Sequence, residues 1–216
     1  MVAHIKTIAF QGFDAVPIDV QVHLAPGQNA FTVVGLPDKS VAESRERVRA
    51  ALSAIGLAPP YDRITINLSP ADLPKEGSHY DVPIALGLLV AMGAVEQAAL
   101  SPYYVMGELG LDGACIGLPG ALPAAMAALA AGFGLICPAA CGPEAAWSGS
   151  AAPDQQGQKL LDAIIDDGQM TARGFNRVLR VARTLADLAD RARPYDADIA
   201  SALMWRGRMP SLEKNA

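Results

Sequence analysis

The chain has 216 residues, of which 51% are hydrophobic and 18% charged, and its formal net charge is −5. This is the composition of a globular protein with room for one large domain or two small ones. The most apolar run, residues 82–95, is too short to cross a bilayer, and the N-terminus lacks the basic and apolar segments of a signal peptide. Three cysteines are an odd and sparse set that fits a reducing compartment. We therefore expect a cytoplasmic protein that does not contact a membrane.

The charge is distributed unevenly along the chain. Residues 1–150 contain seven lysines and arginines against 13 aspartates and glutamates, whereas residues 151–216 contain ten against nine. Within residues 171–208 there are eight arginines, four aspartates and no lysine. A mildly acidic protein with one arginine-rich segment is not a general nucleic-acid-binding protein.

The first part of the chain alternates strand and helix patterns. Apolar and polar residues alternate, or form short apolar runs, in six predicted strands at 18–24, 30–34, 63–68, 103–107, 112–116 and 133–137. Helical spacing predicts helices at 38–55, 82–93 and 121–131. Asp38 and Asp81 are expected to cap the first two helices, and Gly56 to end the first. This order predicts an α/β (α+β) domain with a mixed sheet.

The composition changes after the first 147 residues. Residues 148–157 are small and polar, which predicts a linker between a domain over 1–147 and a helical domain over 158–208. In the second domain, helices are predicted at 158–167, 172–190 and 197–206, capped in the last two cases by Thr171 and Asp196.

The predicted helix 172–190 has an apolar face and an arginine face. At 100° per residue, Arg173, Arg177 and Arg180 fall on one side and the large apolar residues on the other. Such a stripe is either a solvated outer face or a contact for phosphate or a partner, because guanidinium forks match phosphate oxygens. Both interpretations remain open on the sequence.

No complete catalytic or nucleotide-binding motif occurs in the chain. The pattern G-x-x-x-x-G-K-[ST] is absent, and the residue before the single Lys39-Ser40 pair is Asp38 instead of glycine. We therefore predict that this chain needs no cofactor and neither binds nor hydrolyses ATP. The acidic end of residues 163–167 imitates a magnesium-holding strand but is better interpreted as a helix end.

Two further candidate sites are incomplete. Cys137 and Cys141 have the spacing of a zinc-ligand pair, but a second Cys or His pair is missing, so no metal site is predicted. Ser78 and His79 lie in a loop before a helix, where a nucleophile and base are plausible, but there is no G-x-S-x-G motif. We therefore assign no catalytic residue.

Longer blocks of sequence carry a family resemblance. The segments VVGLPDKSVAESRERVRAAL (33–52), RITINLSPADLPKEGSHYDVPIALGLL (63–89) and GELGLDGACIGLPGALPAAMAA (107–128) resemble the N-terminal domain of magnesium-chelatase-like AAA+ ATPases of the ComM/YifB family. The segment TARGFNRVLRVARTLADLAD (171–190) resembles their C-terminal helical lid. In that family the two pieces flank an ATPase core that binds ATP and magnesium. Here no core separates them, through a natural or an engineered deletion.

The resemblance also implies a fold and a set of site residues. The N-terminal domain of this family is similar to the Lon protease domain and to ribosomal protein S5 domain 2. Lon-like peptidases use a serine and a lysine; the serine region falls nearest His79, and Pro123 occupies the lysine position. The resemblance thus implies the scaffold without the dyad. Arg173 matches the lid arginine that senses the γ-phosphate, with Arg177 and Arg180 as further phosphate or partner contacts.

Several functions follow from the resemblance as expectations. Full-length relatives are expected to form hexameric rings and to act on DNA, in branch migration during natural transformation. The favoured hypothesis is a non-catalytic remnant or engineered derivative of a ComM-like ATPase. The alternatives are a regulatory subunit that joins a ring of an intact AAA+ relative, and a residual Lon-like peptidase. The expected partners are further copies of the chain or an intact AAA+ relative, with DNA as a partner in the parent family.

Overall fold

A computed structural model describes residues 2–11, 14–145, 153–166, 170 and 172–204. The chain divides into two compact units, Met1–Ala145 and Ala146–Ala216. Residues 148–152 of the predicted linker lie outside the described residues. Its last three residues, 155–157, are already helical, so the linker prediction is wrong for them.

The first unit is built on a six-stranded mixed sheet. Its strands are β1 (Val2–Gln11), β2 (Asp14–Ala25), β3 (Ala30–Val34), β4 (Arg63–Ser69), β5 (Tyr103–Val105) and β8 (Gly134–Ile136). Their order is β3-β4-β2-β1-β5-β8. β1 and β4 pair antiparallel with β2, whereas the β3–β4, β1–β5 and β5–β8 pairs are parallel. The predicted mixed α/β architecture is therefore confirmed.

Helices cover this sheet unequally. The helices of the first unit are α1 (Lys39–Ala54), α2 (Asp81–Ala91), α3 (Gln97–Leu100), α4 (Ala121–Ala130) and α5 (Gly142–Ala145). The main core lies between one sheet face and α1 and α2; its large members include Ile5, Ile18, Leu52, Ile64, Ile66, Leu68, Ile84 and Leu88. A smaller core on the other face packs Ile8 and Tyr104 against α4 residues. Every second strand residue faces each core, as the pleat of a strand requires.

Strand β1 and the predicted strand 112–116 differ from the predictions, and the short elements α3, α5 and β6 were not predicted. Strand β1, with buried Ala3, Ile5, Thr7 and Ala9 at every second position, was missed because its buried residues are partly small or polar. The predicted strand 112–116 is only Cys115–Ile116 (β7), which forms a separate hairpin with Glu108–Leu109 (β6).

The end of α1 is confirmed: Gly56 has φ +81° and its N–H donates to the Ser53 carbonyl.

The second unit consists of three helices in the described residues: α6 (Gln155–Asp166), α7 (Ala172–Leu188) and α8 (Asp196–Met204). Their buried side chains include Leu161, Phe175, Leu179, Ile199 and Leu203. The predicted cap Thr171 and the predicted end of the domain at 205–208 lie outside the described residues. None of the described helices in either unit is long and apolar enough to cross a membrane.

Candidate functional site

The three sequence blocks that carry the family resemblance meet at one place in the first unit. We call it the three-segment junction: residues 35–40 at the start of α1, 74–81 at the start of α2 and 107–110 around β6. Lys75 joins the first two segments, because its N–H donates to the Leu36 carbonyl (3.1 Å) and its carbonyl accepts the Asp38 N–H (2.9 Å). Gly107 joins the third, with its N–H donating to the His79 carbonyl (2.9 Å). Main-chain hydrogen bonds therefore connect three segments that are far apart in the sequence.

Asp38 caps α1 and also holds the second segment. Its Oδ1 accepts the Val41 N–H at 2.7 Å, which confirms the predicted cap, and its Oδ2 accepts the Gly77 N–H at 3.2 Å. This arrangement bears on a nucleotide site at Lys39-Ser40. The Val41 N–H, which lies at the N-terminal end of α1 where a phosphate would bind, already donates to the Asp38 carboxylate. The negative charge of this carboxylate would repel a phosphate. The residues present therefore do not fit ATP and magnesium here.

Asp81 lies in an ion pair instead of a helix cap, so the capping prediction is wrong. Its fully buried carboxylate accepts Arg47 Nε at 2.6 Å and Arg47 Nη2 at 3.0 Å, and it also accepts the Leu109 N–H at 3.2 Å. The hydrogen bond with Asp81 raises the pKa of Arg47, against the effect of burial. The pair was missed because the partners are 34 residues apart, which no local spacing reveals.

Lys75 is buried completely inside the junction. Its Nζ donates to the Pro70 carbonyl, and burial lowers the pKa of its amine. Because the amine is enclosed by the protein, it is not available to a ligand from solvent. Lys75 therefore holds the loop that precedes α2.

Ser78 and His79 do not form a nucleophile and base. The Ser78 hydroxyl donates to Glu108 Oε2 at 2.5 Å. The His79 imidazole is 4% exposed and its Nε2 lies 2.8 Å from the Ile8 carbonyl, so this nitrogen carries a proton and donates. Burial lowers the pKa of His79. The side chains of Lys75, Ser78 and His79 are thus each hydrogen-bonded within the fold, whereas the buried Tyr80 hydroxyl has no partner among the described residues.

Comparison with known proteins places the chain in a family. Residues 20–140 match the family described as subunit ChlI of Mg-chelatase, and residues 140–206 match the family described as magnesium chelatase, subunit ChlI C-terminal. The chain belongs to the magnesium-chelatase ChlI family. It lies in the part of the family that includes YifB and ComM.

Three relatives illustrate the extent of the match. The uncharacterized protein YifB of Salmonella typhimurium is 46% identical over 134 residues, which are 62% of this chain and 26% of YifB. The competence protein ComM of Haemophilus influenzae is 44% identical over 120 residues, 56% of this chain and 24% of ComM. An uncharacterized protein of Mycobacterium tuberculosis is 39% identical over 140 residues, 64% of this chain and 28% of that protein. The chain thus matches about a quarter of the length of these relatives.

Phe10 lies close to His79 and to the start of α4, the helix that contains Pro123. The ring of Phe10 is 5.4 Å from that of His79, edge to face. A Cβ on Gly120 would lie 2.7 Å from Phe10 Cζ, and Gly120 immediately precedes α4. Pro123 is half-buried in the first turn of α4. An aromatic side chain therefore lies beside both His79 and the start of α4.

The arginine face of α7 has mixed roles. Arg177 and Arg180 are exposed, whereas the side chain of Arg173 lies outside the described residues. Arg183, one turn further along, donates to the Ala192 carbonyl at 2.8 Å and pairs with Asp187. Arg183 therefore fixes the end of α7, a structural role that the helical pattern alone did not distinguish from a phosphate contact.

The cysteines lie near the hairpin β6–β7. Cys115 is exposed, Cys137 is half-buried, and Cys141 is buried with its Sγ 3.4 Å from the Leu118 nitrogen. Burial raises the pKa of Cys137, which keeps it a neutral thiol. Within the described part of the chain, no group of three His, Cys, Asp or Glu side chains is placed to hold a metal ion.

Proposed function

We propose that this chain is a non-catalytic derivative of a ComM-like AAA+ ATPase, without ATP or magnesium as a cofactor. The observation that carries the proposal is that the two family matches meet at residue 140, so no length remains between them for an ATPase core. The sequence has no phosphate-binding loop, and Asp38 occupies the amide at the start of α1. These features support a scaffold that has kept the flanking domains of the family.

The test is to add Mg-ATP to the purified chain. We expect no phosphate release and no change of melting temperature. A ligand present at 100 times its dissociation constant stabilises a protein by about 2.7 kcal/mol, which a melting curve resolves. A reproducible rise in melting temperature with millimolar Mg-ATP, or ATP turnover above a buffer control, would contradict the proposal.

We further propose that the first unit shares its fold with the Lon protease domain and ribosomal protein S5 domain 2. Support comes from the mixed sheet and from residues 77–80, which the resemblance assigns to the serine region and which lead directly into the buried helix α2. Superposition of an experimental structure on those domains is the test. A different strand order in the common sheet would reject the relationship.

Residual peptidase activity is the least supported alternative. Proline at position 123 has no basic group, and the Ser78 hydroxyl is bound to Glu108. A Ser–Lys mechanism needs a base beside the hydroxyl. Incubation with a fluorogenic peptide is expected to give no cleavage above background, and activity lost in Ser78→Ala would reinstate this alternative.

The second candidate function is a cytoplasmic regulatory subunit that joins a ring of an intact AAA+ relative. The exposed Arg177 and Arg180 favour it, because guanidinium groups suit contacts to carboxylates or phosphates. Copurification of the chain with an intact relative tests the idea, with Arg177→Ala/Arg180→Ala as the comparison. If the unmodified chain and the double variant copurify equally well with the relative, these arginines do not contribute to the contact. If neither copurifies, the ring-partner hypothesis is rejected.

Two finer parts of the proposal require the missing core. If a family core is restored between residues 147 and 153, we expect Arg173→Ala to abolish ATP hydrolysis without unfolding the protein. The same restored protein is the one in which to measure DNA branch migration, the activity expected of ComM-like proteins. Unchanged ATP turnover in Arg173→Ala would leave the arginine face as a solvated surface.

A further inference from the structure

A cavity of about 590 Å³ lies on the sheet face opposite α1 and α2. The residues that matter among its lining are His4, Lys6, Asp19, Ser69, Leu100 and Tyr104. This is the size range of small-molecule sites. The cavity is separate from the three-segment junction.

Four lining residues form one row across four strands. Tyr104 of β5 is the register partner of Lys6 of β1, Lys6 that of Asp19 of β2, and Asp19 that of Ser69 of β4. Side chains in such a row point to the same face, about 5 Å apart between neighbours. Opposite charges at directly opposed positions normally pair. Lys6 and Asp19 are thus expected to form an ion pair.

The two charged groups do not pair but bind elsewhere. Lys6 Nζ donates to the Ser101 carbonyl at 2.9 Å and lies 4.3 Å from the centre of the Phe133 ring. Asp19 Oδ2 accepts from His4 Nδ1 at 2.9 Å and from Gln21 Nε2 at 2.8 Å. The ammonium is thus held by residues that precede β5 and β8, and the carboxylate by the neighbouring cross-strand pair of His4 and Gln21. Both groups line the cavity as separate, opposite charges.

Each charge retains unused hydrogen-bonding capacity. Among the described residues, Asp19 Oδ1 accepts no hydrogen bond, and Lys6 uses one of its three donors. The wall beside them is fixed in place, because the Gln97 side chain bonds both the N–H of His4 (2.9 Å) and its carbonyl (2.6 Å). Leu100 and Tyr104 add apolar surface to the same cavity. The cavity therefore offers a cation, an anion and an apolar wall.

We propose that this cavity binds a short zwitterionic peptide of dipeptide size with an apolar side chain. Its carboxylate pairs with Lys6, its ammonium pairs with Asp19 Oδ1, and its side chain lies against Leu100 and Tyr104. A nucleotide fits this chemistry poorly, because Asp19 would repel its phosphates and Lys6 would be their single ammonium partner. A free amino acid carries both charges on one carbon atom, whereas Lys6 and Asp19 bind different partners instead of each other.

The first experiment uses the unmodified protein and three probes: Ala-Leu, N-acetyl-Ala-Leu and Ala-Leu amide. Each probe is titrated while the amide NMR signals of β1 and β2 are followed. We expect saturable binding of Ala-Leu, and affinity lower by roughly tenfold to a hundredfold for each blocked probe, the range for losing a hydrogen bond to a charged group. No saturable shifts with Ala-Leu at millimolar concentration, or equal affinity for all three probes, would overturn the proposal.

The second experiment assigns each end of the peptide to a residue. In Asp19→Asn, blocking the amino group should no longer weaken binding, and in Lys6→Gln, blocking the carboxylate should no longer matter. Asp62→Asn and Lys39→Gln are the matched controls, because they remove the same charges away from the cavity, and they should bind like the unmodified protein. Affinities that fall equally in the controls would overturn the assignment. The probe series on the unmodified protein remains decisive if either cavity variant fails to fold.

Discussion

Arg47 and Asp81 form a two-point ion pair that ties α1 to α2, with the carboxylate fully buried and the guanidinium 19% exposed. The arginine also donates to the Ser40 carbonyl at 2.9 Å. Because the two charged groups differ in burial, removing the guanidinium and removing the carboxylate should change the stability by different amounts. A buried carboxylate has no access to water once its cation is gone, whereas the partly exposed guanidinium can be solvated.

The first prediction concerns this asymmetry. Arg47→Met should destabilise the first unit by about 3–5 kcal/mol, because it leaves a buried charge without a cation. Asp81→Asn should destabilise it by less. Urea denaturation followed by NMR signals of α2 measures both free energies of unfolding. Arg45→Gln, which removes an exposed arginine of the same helix, should change the free energy by about 0.5 kcal/mol or less. Equal losses in the first two variants would contradict the burial argument.

The second prediction compares two glycines with positive φ. A Cβ on Gly35 (φ +100°) would lie 2.2 Å from the Leu68 carbonyl oxygen, whereas one on Gly56 (φ +81°) would meet nothing within 4 Å. Gly56→Ala should therefore lose only the left-handed preference, about 1–2 kcal/mol. Gly35→Ala must also move the main chain of β4 and should lose more, as measured by urea denaturation. If Gly35→Ala lost less free energy of unfolding than Gly56→Ala, the main chain of β4 would be able to move without destabilising the fold, which contradicts the prediction.

The third prediction concerns the reactivity of two lysines. Lys75 is buried with its amine on the Pro70 carbonyl, and the side chain of Lys39 is 91% exposed. An amine-reactive reagent added to the native protein should label Lys39 rapidly and Lys75 only after unfolding, as read by peptide mass spectrometry. The same reagent in 8 M urea, a denaturing condition chosen as the control, should label both. Rapid native labelling of Lys75 would mean that the junction opens readily.

The fourth prediction concerns pH. Burial lowers the pKa of His79 below its usual value of 6.5, so the unfolded chain binds a proton more readily than the folded chain. The stability due to this residue is complete above pH 6.5 and falls as the pH is lowered towards the folded-state pKa. The loss is at most about 1.4 kcal/mol per pH unit. His79→Gln keeps a side-chain N–H for the Ile8 carbonyl but does not titrate.

The measurement is urea denaturation of the native protein and His79→Gln between pH 7.5 and 5, conditions chosen to span that window. The stability advantage of the native protein over His79→Gln should shrink as the pH falls. His23→Gln, which removes an exposed imidazole on β2, should follow the native pH profile. A constant difference between the native protein and His79→Gln across this range would contradict the predicted burial effect.

Local sequence patterns were sufficient for most elements. The alternation in RITINL predicted β4, and Asp38 and Gly56 bounded α1, because caps and pleats depend on neighbours in the chain. β1 escaped detection because Thr7 and two alanines share its buried face with Ile5, which weakens the apolar signal. The position of Asp81 before an apolar run predicted a cap, but α2 begins at Asp81 itself and its carboxylate binds Arg47 and the Leu109 N–H.

The sequence by itself determined the family blocks, the mixed order of strands and helices, and the lack of a phosphate-binding loop, because each is a property of consecutive residues. Tertiary structure decided which polar groups meet: Arg47 with Asp81, Ser78 with Glu108, and His79 with the Ile8 carbonyl. It also decided that Lys6 and Asp19 face one cavity without pairing. These relationships depend on strand register and on contacts between residues 15 to 95 positions apart, which no local pattern encodes.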